Sequence, residues 1–142
     1  MAGWIGVDLD GTLARYDSGQ APRIGEPLPA MMKRVKGWLD KGQEVRICTA
    51  RAAHGEIEIS RVRDWLKQHG LGDLQVTCQK DFNMIELWDD KAIQVKPNTG
   101  EPLIDQKFQE ALAEFNDMSR GRKTTDSNTF ELIASLDSDE EE

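Results

Sequence analysis

Cysteine is scarce in this 142-residue sequence: Cys48 and Cys78 are the only two, and neither belongs to a CxxC pair. A disulfide framework and a zinc site both need more sulfur than this, so the expected setting is a reducing cytoplasm. Long hydrophobic runs are missing too. No stretch approaches the roughly 20 apolar residues that span a bilayer, so no membrane partner is expected. No basic segment precedes Trp4, and Asp8 arrives too early for a secretory signal. Positive charge is in deficit, with 18 Lys and Arg against 26 Asp and Glu, a net charge of -8. That balance does not suit a protein that grips duplex DNA by neutralising phosphates. A small anionic substrate is still allowed if a cation or local donors offset the charge. No internal repeat is present.

The length fits one domain with a real core. At 38% hydrophobic and 31% charged, the chain should also carry a polar segment. That segment begins at Ser119, and the last six residues from Asp137 hold five acids and no base. Residues 1–118 are therefore expected to form the domain and 119–142 a polar, acidic appendage. An apolar patch at Phe130, Ile133 and Leu136 makes the appendage a candidate docking peptide for a protein partner. The oligomeric state is not readable from the sequence.

Within the domain, Trp4–Val7 reads as a buried strand that runs into Asp8 and Asp10. Residues 14 to 26 are loop-like. Leu28, Met31, Met32, Val35, Trp38 and Leu39 share one face of a helix over about 27–41 that stops at Gly42. Glu44–Cys48 is a second strand, ending in Thr49. Ile59, Val62, Trp65 and Leu66 mark a helix over about 55–69, stopped by Gly70. Residues 74–77, 85–88 and 92–95 read as further strands, and about 102–118 as a last helix with Ile104, Phe108, Ala111, Leu112 and Phe115 inward. Strands alternating with helices predict an α/β fold, a Rossmann-like three-layer sandwich with a mainly parallel sheet.

In open α/β sheets, ligands bind beyond the carboxyl ends of the strands. Here the first strand ends in Asp8 and Asp10, the second in Thr49, and the fourth in Asp89 and Asp90, while Lys80 follows the third. A DxD after a strand means little alone, since it is often a turn. The coincidence means more. Carboxylates converging at one sheet edge repel one another, and a hard divalent ion such as Mg²⁺ relieves that while leaving room for a phosphate.

Asp8-Leu9-Asp10-Gly11-Thr12-Leu13 resembles the first motif, DxDGT[LV], of the haloacid dehalogenase (HAD) superfamily. Thr49, Lys80 and the Asp89–Asp90 pair are similar to its second, third and fourth motifs, in order. The resemblance covers residues 4 to 95. It implies a HAD-like fold and a Mg²⁺-dependent phosphatase. Asp8 would be the nucleophile that forms an aspartyl-phosphate, and Asp10 the general acid and then base. Mg²⁺ would be held by the Asp8 side chain, the Asp10 carbonyl and Asp90, with Asp89 orienting Lys80 or a metal-bound water. The reverse assignment of Asp89 and Asp90 stays open. Thr49 and the Ala50 backbone would bind phosphoryl oxygens, with Thr49 also free to cap the next helix, and Lys80 would neutralise charge, with Lys91 as its rival. Arg51 would bind a second phosphate or the leaving group, or form an exposed salt bridge. Tyr16 and Arg15 are candidates for substrate contact by position. His54 and His69 read as a loop residue and a helix-end cap.

The intervals from Asp10 to Thr49 and from Thr49 to Lys80 leave no room for the family's inserted cap domain, so a capless member is implied. The Thr49-Ala50-Arg51 run with the acidic pair is similar to the phosphatase part of polynucleotide kinases. A phosphorylated small molecule, a nucleotide or a nucleic-acid end follows as substrate. Two other classes fit less well. A catalytically silent HAD-like interaction module would not need the whole motif set. A Toprim-type nuclease would place a lone Glu after an earlier strand.

Overall fold

The computed structural model describes residues 2–104 and 106–119. It divides into two compact units, one ending at Ala92 and the other starting at Ile93. The first contains strand β1 (Trp4–Val7), helix α1 (Pro29–Asp40), β2 (Glu44–Cys48), a 3-10 turn over Ala50–His54, α2 (Glu56–Gln68), β3 (Gln75–Thr77) and β4 (Met84–Trp88).

The four strands form one sheet in the order β3-β2-β1-β4, and every pairing is parallel. This is the Rossmann-like α/β architecture that the alternating pattern predicts. Parallel strands need crossovers, which α1 and α2 supply. The register pairs Ile5 with Val45 and Val7 with Ile47, so these side chains share one face of the sheet. They join Met31, Met32 and Val35 of α1 and Val62, Trp65 and Leu66 of α2 in a single core cluster. Both crossover helices therefore cover that face. The opposite face carries Trp4, with the Arg46 guanidinium 4.4 Å above its ring. Trp4 Nε1 also donates to Asp81 at 2.9 Å, tethering the segment that carries the chain from β3 across to β4.

Pro29 opens α1, where its missing N–H costs nothing. Glu56 and Glu58 occupy the first turn of α2, where the helix dipole favours negative charge. The positions predicted to face the core on α2 do so.

Residues 92–95 depart from expectation. They add no strand to the sheet. In the second unit, Val95 forms an isolated antiparallel bridge with Pro102, closed by Lys96 N–H to Glu101 O at 2.7 Å and Leu103 N–H to Gln94 O at 2.8 Å. Pro97 to Gly100 make a turn there, and turn residues outweigh the short apolar run. Helix α3 (Gln106–Ser119) follows, starting later than the predicted Pro102. Phe115 of α3 is 65% exposed rather than inward. The expected appendage, apart from Ser119, lies outside the described residues, as do Phe130, Ile133 and Leu136. Among the described residues, no helix is long and apolar enough to cross a membrane.

Leu66 is fully buried between α2 and the sheet. Leu66→Ala should cost about 2–5 kcal/mol by removing apolar contact and leaving a cavity. Urea denaturation checks this, and a loss below about 1 kcal/mol would place Leu66 outside the core.

Candidate functional site

The flush carboxyl ends of β1 and β4 build the site. Val7 pairs with Trp88, and Asp8 N–H continues the ladder to Trp88 O at 2.9 Å. That register sets Asp8 beside Asp89 and Asp90. Carboxylate oxygens of the three residues all lie within 4.8 Å of one another. On the other side, Val7 pairs with Ile47, so Cys48 and Thr49 flank Asp8.

Two residues of the first motif make the close approach feasible. Gly11 has φ +90°, and a Cβ there would lie 2.5 Å from Asp90 Oδ2. Any larger residue would drive Asp90 away as well as strain the backbone. The Thr12 hydroxyl accepts the Asp90 N–H at 3.0 Å and lies 3.1 Å from Asp90 Oδ1 and 3.4 Å from Asp8 Oδ2. Its single proton serves one of these two carboxylates, and the hydroxyl fastens the first loop to the end of β4.

The electrostatics follow from the crowding. Burial above all, then a hydrogen bond with Asp90 and the charge of Asp89, push the Asp8 carboxyl from 3.8 up to about 7, against the Leu9 N–H that favours the anion. Burial and the charge on Asp8 also push the Cys48 thiol up.

Asp10 turns away from this cluster. Arg51 Nε reaches its Oδ2 at 2.7 Å and Nη2 its Oδ1 at 3.0 Å, a bidentate pair. The Asp10 side chain is therefore not part of the acidic trio. Asp89, which the sequence assigns a supporting role, completes the trio, and the ligand expected of Asp10 is its backbone carbonyl. Arg51 is buried and has no spare donor. Its remaining N–H groups go to Pro22 O, to Glu58 Oε1 at 3.3 Å and to Arg23 O at 3.2 Å. This corrects the expectation of an exposed salt bridge for Arg51: the ion pairs form, but the guanidinium is buried.

Thr49 is 3% exposed, and its Oγ1 accepts the Arg51 N–H at 3.1 Å, capping the 3-10 turn. Its hydroxyl proton is not used in that bond. Asp8, Asp10, Thr49, Ala50, Arg51, Asp89 and Asp90 all line one cavity of about 1100 Å³. Tyr16 and His54 line it as well, whereas Arg15 instead pairs with Asp17. Lys91 lines the cavity and Lys80 does not, although Lys80 is near enough to Cys48 to oppose slightly the rise of its thiol. The sequence order that favoured Lys80 carried no signal for this. His69 caps the end of α2, as expected, and its ring lies 4.6 Å from that of Trp65 at an angle of 52°.

The donor set fits a hard divalent cation. Three clustered carboxylates offer oxygen ligands, and a dication would balance the charge that Asp89 and Asp90 set beside the partly buried Asp8.

No family model and no curated protein matches the chain. Among solved structures, a conserved protein coded by a locus from Bacteroides thetaiotaomicron is similar, with a TM-score of 0.50 and 18% identity over 86% of this chain and 93% of that one. Similarity at that identity speaks to the fold, an α/β sandwich, and not to the chemistry.

The raised Asp8 pKa has a thermodynamic consequence. The folded state binds this proton more tightly than the unfolded state. The stabilisation is complete below the unfolded value of 3.8 and is lost as pH rises through about 7. In chelator-treated protein, the parent should therefore lose stability relative to Asp8→Asn across that window. Urea midpoints of both proteins against pH test this, and a difference that stays constant with pH would contradict it.

Proposed function

We propose that this protein is a HAD-type, Mg²⁺-dependent phosphohydrolase that cleaves a phosphomonoester through an aspartyl-phosphate. The observation that carries this reading is the convergence of Asp8, Asp10, Thr49, Asp89 and Asp90 on one cavity at the carboxyl ends of a parallel sheet.

Asp8 stands at the tip of β1 and attacks phosphorus, while the bond to the leaving oxygen breaks. Asp10 in its protonated form, oriented by Arg51, gives that oxygen its proton and is left as the carboxylate that Arg51 pairs with. It then takes a proton from the water that attacks the phosphoryl group, and inorganic phosphate leaves with Asp8 restored. The Thr49 hydroxyl donates to a phosphoryl oxygen. Asp8, Asp89 and Asp90 would hold Mg²⁺, with the Asp10 carbonyl as a further ligand. The ion supplies positive charge against both the carboxylates and the phosphate.

The cavity has room for more than inorganic phosphate, and a nucleotide or polynucleotide end is the substrate class the Thr49-Ala50-Arg51 run suggests. Free Cys48 and Cys78 support a reducing, cytoplasmic setting.

Hydrolysis of 4-nitrophenyl phosphate with and without Mg²⁺ tests the proposal. Release should require the metal and fall by about 10³-fold or more in Asp8→Asn, since the nucleophile is gone. Activity indifferent to Asp8→Asn would exclude the covalent route. Lys80→Ala and Lys91→Ala, assayed side by side, identify which lysine neutralises the transferring group.

A further inference from the structure

We propose that Arg51 is a positioning residue that locks Asp10 and the 15–26 loop together, so that proton transfer and the cavity wall depend on one guanidinium. This rests on the reading of Asp10 as the acid that protonates the leaving oxygen.

All five N–H groups of the Arg51 side chain are spent on the protein. Two hold the Asp10 carboxylate from both oxygens, at 2.7 and 3.0 Å. Two hold the loop, at Pro22 O and Arg23 O, and the fifth reaches Glu58 on α2. Glu58 is held in turn by Arg61 Nε at 3.2 Å. The guanidinium thus sits between two carboxylates, with its side chain only 10% exposed.

The loop itself is knitted rather than slack. Gln20, 7% exposed, donates to Arg15 O and Arg23 O, both at 3.2 Å, and accepts Asp17 N–H at 3.1 Å. Arg15 N–H meets Glu26 O at 2.8 Å, closing the loop at its base. Gly25 approaches so closely that a Cβ there would lie 2.1 Å from Arg15 O. Trp65 Nε1 donates to Gly25 O at 3.0 Å. Trp65 and Arg51 are thus two anchors that tie the loop to the second half of the unit. Tyr16, Ala21 and Pro22 of this loop wall the cavity. The wall is preformed and ends at the same side chain that aims Asp10.

A lysine cannot reproduce this arrangement. One ammonium has three donors around a point and lacks the planar fork that spans a carboxylate. Arg51→Lys keeps the charge and most of the stem, so it tests geometry with little risk to folding. Arg51→Gln removes the charge as well.

The test uses the full chain with Mg²⁺ and two esters, 4-nitrophenyl phosphate and glycerol 2-phosphate. The nitrophenolate leaves without help, whereas the alkoxide needs the proton from Asp10. In both variants kcat/KM, which ends at phosphoryl transfer to Asp8 and excludes the water-activation step common to both esters, should fall about 10²-fold or more on the alkyl ester and less than about tenfold on the nitrophenyl ester. A raised KM with kcat unchanged would make Arg51 a substrate-binding group and overturn the proposal. Equal losses of kcat/KM on the two esters would overturn it too. Trypsin supplies a readout independent of turnover. The Arg23–Ile24 bond has its carbonyl oxygen held by Arg51 and Gln20, so its cleavage should quicken about tenfold or more in Arg51→Gln. Unchanged cleavage in that variant would refute the loop anchor. A parent that hydrolyses neither ester would instead refute the phosphohydrolase reading and with it the role of Asp10, and trypsin would then decide the loop anchor alone.

Discussion

Three carboxylates from Asp8, Asp89 and Asp90 stand within 4.8 Å of one another at the ends of two paired strands. At such separations a like-charge pair repels by on the order of 3–4 kcal/mol for an effective dielectric near 20. Two or three such terms rival the ~5–15 kcal/mol that stabilises a whole domain. Holding all three as bare anions is therefore costly. A proton kept on Asp8, whose carboxyl is raised by burial first and by these neighbours second, or a bound cation relieves that cost. Much of the local sequence serves this crowding. Gly11 leaves space for the Asp90 carboxylate, the Thr12 hydroxyl ties the Asp90 N–H to the first loop, and the β1–β4 register sets the strand tips level.

Asp8 and Asp10 are two residues apart yet live in opposite surroundings. Asp8 faces other acids, and Asp10 faces a buried guanidinium. Environment thus separates two chemically identical side chains, one crowded by other acids and the other held by a guanidinium. The same guanidinium reaches the 15–26 loop, so the cavity wall and the second aspartate share a support. The parallel sheet is what makes this economical. It delivers every strand end to one edge, and the residues that follow β1, β2 and β4 meet there although they are far apart in the chain.

The fold was legible where periodicity was strong. Val62, Trp65 and Leu66 announce the buried stripe of α2, and the β-rich runs before Asp8, Thr49 and Asp89 announce three of the strands. Residues 92–95 misled because a short apolar run does not say whether a neighbouring strand is available to pair with. Phe115 misled for a similar reason, since helical spacing marks a face without showing what covers it. In the site, Asp8, Asp10, Thr49, Asp89 and Asp90 were legible from their places at strand ends. The burial of Arg51 was not, because nothing local shows that Pro22, Arg23 and Glu58 converge on it. Nor was the bridging hydroxyl of Thr12, which depends on a partner at Asp90. The choice between Lys80 and Lys91 turns on where each lies relative to the cavity, which chain order does not encode.

Carbon-13 NMR of the Asp8 side-chain carboxyl, followed against pH in metal-free protein and again with Mg²⁺, tests the central claim most directly. Without metal the resonance should titrate near 7, and saturating Mg²⁺ should move that midpoint below the ordinary 3.8 as a dication replaces the shared proton. An Asp8 carboxyl that titrates near 3.8 in the metal-free protein and ignores Mg²⁺ would contradict it.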